Sequence, residues 1–417
     1  MMKFLLKSVK IIDPKGPHHG ETADILVEDG IIRAIEKSIK NADATLIQAD
    51  QLHLSSGWFD PSVSFGEPGL EERETLAHGA HIAALSGYTA VGVNPNTQPV
   101  LQNKSDMAFV KAKSNIVDLH PIGALTTDSR GQDLAELYDM HQAGAIAFND
   151  YQKPIANPNL LKLALEYTQS FNGLILSFPM ETDLAQKGMI NEGLVSVTLG
   201  LKGIPNLAET LQISRDLNVL SYSGGRLHIP TISTKESVDL IKRAKSEGLA
   251  VTCSVSINHL CLTDQALNEF DTNFKMLPPL RTEQDRLALI QGLKDGVIDG
   301  VTSDHNPIDI EHKKVEFDHA AFGSIGLESC FGALLGVVDL DTTIEALTGL
   351  KAVFGLETNN IAINQPANFT LFNPSKQSTF SRDLIHSTSG NAALVGQKMT
   401  GSVLGIMNHG QWVANEA

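Results

Sequence analysis

Cysteine is scarce. Cys253, Cys261 and Cys330 are the three in a chain of 417 residues. None stands in a Cys-x-x-Cys pair, which excludes a disulfide framework, and a sparse, odd count suits a reducing cytosol. Long apolar runs are missing too. Near the start only Phe4, Leu5 and Leu6 stand together, too few for the apolar segment of a signal peptide, and no stretch is long and apolar enough to span a bilayer. Basic residues are outnumbered, 32 Lys and Arg against 48 Asp and Glu, for a formal net charge of −16. So acidic a chain argues against nucleic acid and membrane as partners. The glycines of Ser223-Gly224-Gly225 are not followed by Gly-Lys-Ser/Thr, which makes them a turn and not a phosphate loop. Low-complexity segments and close repeats are absent. With 42% apolar and 19% charged residues, the expectation is an ordinary globular protein of the cytoplasm.

The length is too great for one small core and suits a large barrel with a smaller domain. The first ~50 residues read as β structure. Phe4 to Ile12 is an expected strand ending at Asp13-Pro14, and Ile25 to Ile35 an expected hairpin, because Asp29-Gly30 supplies the positive φ values of a tight turn. The last ~55 residues look alike: a strand from Asn368 to Phe372 closed by Asn373-Pro374, then a hairpin from Val403 to Val413 around Asn408-His409-Gly410. Two β-rich ends of one chain can pair into a single domain. Between them, short apolar strands alternate with helical patterns. The strands are Tyr88–Val93, Ala145–Phe148, Leu174–Ser177, Leu227–Ile232, Ala250–Val255 and Gly300–Ser303. The helices include Glu236–Ser246, opened by a capping-box pattern at Ser233, and Glu283–Lys294. The fold class predicted is therefore α/β: a (β/α)8 barrel over residues 55–362, with a small β domain from residues 1–54 and 363–417. Catalytic groups of such barrels sit just after the strands.

Those positions carry a resemblance. Gly57-Trp58-Phe59-Asp60, Glu67-Pro68-Gly69, Ser86-Gly87-Tyr88-Thr89, Asn94-Pro95-Asn96-Thr97-Gln98-Pro99, Ser233-Thr234-Lys235, Pro278-Pro279-Leu280-Arg281, Thr302-Ser303-Asp304-His305-Asn306-Pro307 and Phe322-Gly323-Ser324-Ile325-Gly326-Leu327-Glu328 follow in order along nearly the whole chain. The ordered set resembles the dihydroorotase family, a branch of the cyclic amidohydrolases. The resemblance implies an amidohydrolase-type barrel and a place in pyrimidine synthesis. The reaction it implies is reversible closure of carbamoyl-aspartate to dihydroorotate, with one or two Zn²⁺ ions turning water into hydroxide near neutral pH.

At the positions that resemble the family's metal ligands, this chain departs from the pattern. Ser62 and Ser64 stand where the resemblance implies a His-x-His pair, Tyr151 where it implies the bridging ligand, and Phe178 and Thr231 where it implies two further histidines. Asp304 matches the family's metal-contacting aspartate, and Asn96 a substrate-contacting asparagine. The family's substrate contacts are absent at Gly66, where an arginine is implied, and at Leu277 and Ile308. A shift of one residue would put Asp150 in place of Tyr151. His228, His259 and His305 have no zinc-like spacing and read as structural groups, and Asp304 as a vestige. Glu181 and Asp183 suit a helix start, His18-His19 an exposed turn, and Cys253 and Cys261 the barrel wall.

No bound cofactor is expected. Two function classes follow. One is a non-catalytic subunit of a homo- or hetero-oligomer, because the resemblance extends to inactive homologues that stabilise aspartate carbamoyltransferase. The other is an active dihydroorotase, or a hydrolase of another cyclic amide, with an unorthodox site.

Overall fold

The computed structural model describes residues 2–40 and 43–415. Five strands open the chain: β1 (Lys3–Ile11), β2 (Thr22–Glu28), β3 (Ile31–Glu36), β4 (Thr45–Ile47) and β5 (His53–Ser56). The turn between β2 and β3 has Asp29 at φ 48° and Gly30 at φ 76°, the doubly positive geometry that matches the twist of a tight hairpin. The barrel follows with β6 (Trp58–Val63), β7 (Tyr88–Val93), β8 (Asp118–Ala124), β9 (Ala147–Asn149) and β10 (Ile175–Leu176). A two-stranded excursion, β11 (Ile190–Asn191) and β12 (Gly203–Ile204), precedes β13 (Leu227–Ile229), β14 (Val251–Ser256) and β15 (Gly300–Thr302). The chain closes with β16 (Phe369–Thr379), β17 (Lys398–Asn408) and β18 (Gln411–Ala414).

The strands make two large sheets. In one the order is β18-β17-β16-β5-β1-β2-β3, with β4 beside β1, so β5 from the N-terminal part pairs with β16 from the C-terminal part. In the other the order is β15-β14-β13-β10-β9-β8-β7-β6. Its neighbours are parallel, and a parallel bridge between Val63 and His305 brings its first and last strands together. That is the expected barrel with its β layer. Trp58, at the start of the first barrel strand, is fully buried and stacks on Phe331 and Phe372 with centroids 4.7 and 5.9 Å away, joining barrel to layer. Among the described residues no helix is long and apolar enough to cross a membrane. The three cysteines are free, Cys253 and Cys330 buried and Cys261 partly so.

Three local expectations are corrected. β8 stands outside the expected strands, and it contains Pro121, which lacks the N–H that a central strand uses. The strand forms all the same, with Pro121 paired to Val93 and its carbonyl accepting from the Ile146 N–H at 3.1 Å. The strand expected to close at Asn373-Pro374 runs on to Thr379, the proline sitting where the register with β17 slips between Asn373 and Gln377. The helix over Lys235–Ser246 is capped by Thr234, whose side chain accepts from the Ser237 N–H, and not by Ser233.

The seam between β6 and β15 depends on Asp60. This fully buried carboxylate accepts from the Thr302 hydroxyl at 2.6 Å, the Ser303 N–H at 2.9 Å and the Ser62 N–H at 3.1 Å. Asp60→Ala strands these donors and is expected to lower stability by about 2–4 kcal/mol. Urea unfolding should read the loss as a lower midpoint at unchanged slope. Asp60→Asn, which keeps an acceptor, should lose less.

Candidate functional site

The residues after the barrel strands converge. Ser62, Tyr151, Phe178, Thr231 and Asp304 line one cavity, together with Asn94, Asn149, Gln152, His228 and Ser254. Five of the positions singled out in the sequence therefore meet. Three of them, Tyr151, Thr231 and Asp304, have φ of 57°, 49° and 48°. Left-handed backbone is strained for any residue with a side chain, and most so for a β-branched one such as Thr231. The strand ends thus hold their side chains inward at a cost in conformational energy.

What meets there is mostly neutral. The Asn94 side-chain amide donates to Ser62 Oγ at 2.9 Å and to Ser64 Oγ at 3.4 Å, and Asn149 donates to Asn94 Oδ1 at 3.5 Å. Ser64 thereby belongs to the same network. Tyr151 carries a buried hydroxyl beside Ser64 and Asp304, and burial pushes its phenol well above the ordinary range. Asp304 accepts from the Ser62 hydroxyl at 3.4 Å. Burial, and then the neighbouring Asp60 carboxylate, push its pKa up to about 7.

The remaining positions lie elsewhere. Leu277 packs with Phe178, Ile204 and Ala208 in an apolar cluster, and its carbonyl accepts from Gln152 at 2.8 Å. Ile308 is buried and tied through its N–H to Asn391. Asn96 does not line the cavity, and its side-chain oxygen is buried without a hydrogen-bond partner. Gly66 lies in a closed loop. A Cβ there would meet the Leu70 carbonyl oxygen at 1.9 Å, and the loop is fixed by Gly66 N–H to Glu74 O and Leu70 N–H to Gly66 O, each 2.9 Å. A side chain of any kind requires that loop to open.

The neighbouring imidazoles are engaged or walled in. His228 sets Nδ1 against Thr252 Oγ at 2.9 Å and Nε2 against Ser254 Oγ at 3.0 Å, and burial drives its pKa to about 3. His259 Nε2 faces the Pro278 and Pro279 carbonyls, both at 3.2 Å. His305 Nδ1 accepts from the Gly326 and Leu327 N–H groups. Asp150 turns away and accepts from the Thr126 N–H and hydroxyl at 3.0 and 2.5 Å. Glu181 caps the helix over Thr182–Ala185. No group of three or more His, Cys, Asp or Glu able to hold a metal occurs among the described residues. The residues at this mouth do not fit a zinc ion: one carboxylate, two serines, a threonine, a phenol and a phenyl ring fall short of the usual three or four N, S or O⁻ donors.

The space is equally restrictive. The cavity encloses about 20 Å³, room for about one water molecule, whereas small-molecule sites hold roughly 300–1,000 Å³. Bulky side chains line it, Tyr151, Phe178 and Phe354 among them. Sequence reasoning placed Asn94 and Asn149 after strands but gave them no role in the site. Their position at the ends of two expected strands was the available signal.

The motifs that carry the family resemblance serve the scaffold. Glu209, almost fully buried, accepts from Ser233, Thr234 and Ser237. Arg281 donates to Ser233 Oγ at 3.1 Å, Asn191 Oδ1 at 2.9 Å and Ile204 O at 2.6 Å. Glu328 accepts from the Ser387 N–H and hydroxyl.

Comparison with known proteins agrees with this architecture. A family profile described as Dihydro-orotase-like matches residues 53–237. The chain is similar to the dihydroorotase of Caldanaerobacter subterraneus subsp. tengcongensis, 35% identical with 98% of this chain and 97% of that one covered. It is 36% identical to the dihydroorotase of Geotalea daltonii, with 96% of each covered. Among solved structures, the L-hydantoinase (dihydropyrimidinase) from Arthrobacter aurescens superposes with a TM-score of 0.86 at 21% identity, covering 100% of this chain and 97% of that one. The dihydropyrimidinase from Brevibacillus agri gives 0.85 at 20% identity, covering 99% and 95%. At such identities the superpositions speak for the fold alone.

Two outcomes are expected. Protein dialysed against metal-free buffer should hold far less than one zinc per chain by plasma mass spectrometry, and Ser62→His or Thr231→His alone should not change that. The second concerns pH. Asp304 is harder to ionise folded, at about 7, than in an unfolded chain, at about 3.9. Its stabilising share is thus complete below about pH 4 and is lost as pH rises to 7. Asp304→Asn should raise the melting temperature at pH 8, by at most about 4 kcal/mol in stability, and change little at pH 4.

Proposed function

We propose that this chain, which belongs to the dihydroorotase family, serves pyrimidine biosynthesis as a scaffold and not as a catalyst. The observation that carries this reading is the filled mouth of the barrel, with about 20 Å³ of space among side chains that cannot assemble a zinc site. Ring opening in this family requires hydroxide near neutral pH, and a metal is what supplies it. A dianionic substrate also requires cationic or donor groups, whereas Gly66 has no side chain and Leu277 and Ile308 are apolar and buried.

The partner proposed is aspartate carbamoyltransferase, by analogy with inactive members of the family. A retained scaffold supports the reading, since buried networks around Glu209, Arg281 and Asp60 keep the barrel and its loops intact. The surface also offers apolar side chains for assembly: Leu194 and Val197, one turn apart on the helix over Leu194–Leu199, are 82% and 79% exposed. Oligomers cover such positions.

Catalysis by an unorthodox site is favoured by one feature, the pKa of about 7 at Asp304, which suits a general acid or base at neutral pH. Proton transfer requires a substrate within hydrogen-bond reach, and the present cavity cannot admit one.

Two measurements test the proposal. Purified protein should show no dihydroorotate hydrolysis above background, with or without added Zn²⁺. Turnover that disappears in Asp304→Asn would establish the catalytic reading. Co-expression with the host's aspartate carbamoyltransferase should give one co-eluting peak on size exclusion. Separate peaks at micromolar concentration, with transcarbamoylase stability unchanged, would remove the partner.

A further inference from the structure

At the end of the barrel opposite Asp304 lies a second and much larger cavity, of about 500 Å³. It is walled by the N-terminal ends of β7 and β8, by the segment from Leu350 to Asn360, and by the two hairpin tips of the β layer, Asp29-Gly30 and His409-Gly410. The tips touch: a Cβ on Gly30 would lie 3.0 Å from Gly410 N. Chain from both ends of the sequence and from the barrel thus encloses one space, of the size that small-molecule sites have.

Its deep wall holds Lys351, only 8% exposed, whose ammonium makes no hydrogen bond and no ion pair within 4.0 Å among the described residues. His120 stands beside it, with its ring edge-on to Phe59 and no hydrogen bond to either ring nitrogen among the described residues. Asp118, the carboxylate whose charge acts on both, is already engaged by Asn408 and His409 at 3.2 and 2.9 Å. Neither Lys351 Nζ nor a His120 ring nitrogen is sealed from the cavity, so both groups are open to a ligand there. The rim has the opposite character. Glu345 and Glu357 line it, both exposed and without side-chain hydrogen bonds or ion pairs among the described residues; Asp29 and the buried Asp13, which accepts from the Ile361 N–H, add to them, against one cation, the exposed Lys15. A polyanion such as a nucleotide is repelled by such a rim. A molecule carrying a carboxylate at one end and a cation at the other complements both.

We propose that this cavity is a binding site for a small zwitterion of the α-amino-acid type, its carboxylate set against Lys351 and His120 and its ammonium turned to the acidic rim. The rim selects neutral or basic side chains over acidic ones. Burial now pushes Lys351 down to about 8 and His120 down to about 4. A carboxylate beside them raises both. The site is independent of the barrel mouth and of any catalytic or scaffold role.

Isothermal titration and thermal melting of the full chain test it, with L-arginine, L-lysine, L-glutamine, L-aspartate, acetate and inorganic phosphate as probes. Arginine, lysine or glutamine should bind and raise the melting temperature, and aspartate, acetate and phosphate should bind at least tenfold more weakly. Lys351→Met, which removes a buried charge at nearly constant volume, should weaken binding at least tenfold while the chain stays folded by circular dichroism. The exposed change Glu357→Gln, which poses no folding risk, should weaken the basic amino acids more than glutamine. In the wild type the His120 imidazole resonances should report a higher pKa on saturation. No binding of any amino acid up to about 20 mM, where even weak ligands shift melting, would overturn the proposal. So would unchanged affinity in Lys351→Met, or acetate or phosphate binding as tightly as the amino acids.

Discussion

The Asp60 carboxylate sets the frame for everything at the mouth of this barrel. A parallel barrel must join its last strand to its first, and here a single bridge, from Val63 to His305 just past β15, makes that join. Asp60 supplies the cross-links that a lone bridge lacks, taking a hydroxyl and an N–H from β15 and its end, and an N–H from its own strand. Those contacts fix where the two strands end, and hence where Ser62 and Asp304 point. The same charge, held in a dry interior, disfavours a second one nearby, which is part of why Asp304 takes up a proton so readily. A structural carboxylate thus governs the electrostatics of what remains of the site.

Much of the architecture was legible because it follows from short-range rules. Alternating apolar strands and amphipathic helices imply a parallel barrel, and Asp29-Gly30 and His409-Gly410 declare their turns through the φ values they tolerate. The exceptions are instructive. Pro121 looks like a strand breaker, yet its position leaves the proline's carbonyl as the group that matters. Ser233 looks like a cap, yet it is claimed by Glu209, 24 residues earlier in sequence. Local propensity yields to a buried tertiary partner in both cases.

The site was legible in a different sense. The sequence shows which residue types stand after each strand, and Ser62, Tyr151, Phe178, Thr231 and Asp304 do come together. It does not show volume. That Phe178 and Leu277 share one apolar cluster, or that Asn94 and Asn149 tie the serines into a neutral network, depends on the packing of segments far apart in the chain. The larger cavity at the other end was invisible for the same reason. Its walls come from the two termini and the barrel, and neither Lys351 nor His120 belongs to any motif. Between the two cavities Phe59 and Phe354 meet edge to face at 5.5 Å, with His120 against one and His228 against the other, an aromatic floor that keeps the two ends of the barrel apart.

The loop around Gly66 makes the altered mouth hard to reverse. With the Leu70 carbonyl seated 1.9 Å from where a Cβ would stand, a long cationic side chain cannot enter this position until residues 66–74 are rebuilt. An intermediate carrying that side chain alone gains no ligand to hold and loses two backbone hydrogen bonds. Rebuilding the loop first gains nothing either, because Ser62, Tyr151, Phe178 and Thr231 still line a mouth without a metal site. Each such step is unfavourable until the others are in place, so single substitutions cannot open this mouth one at a time.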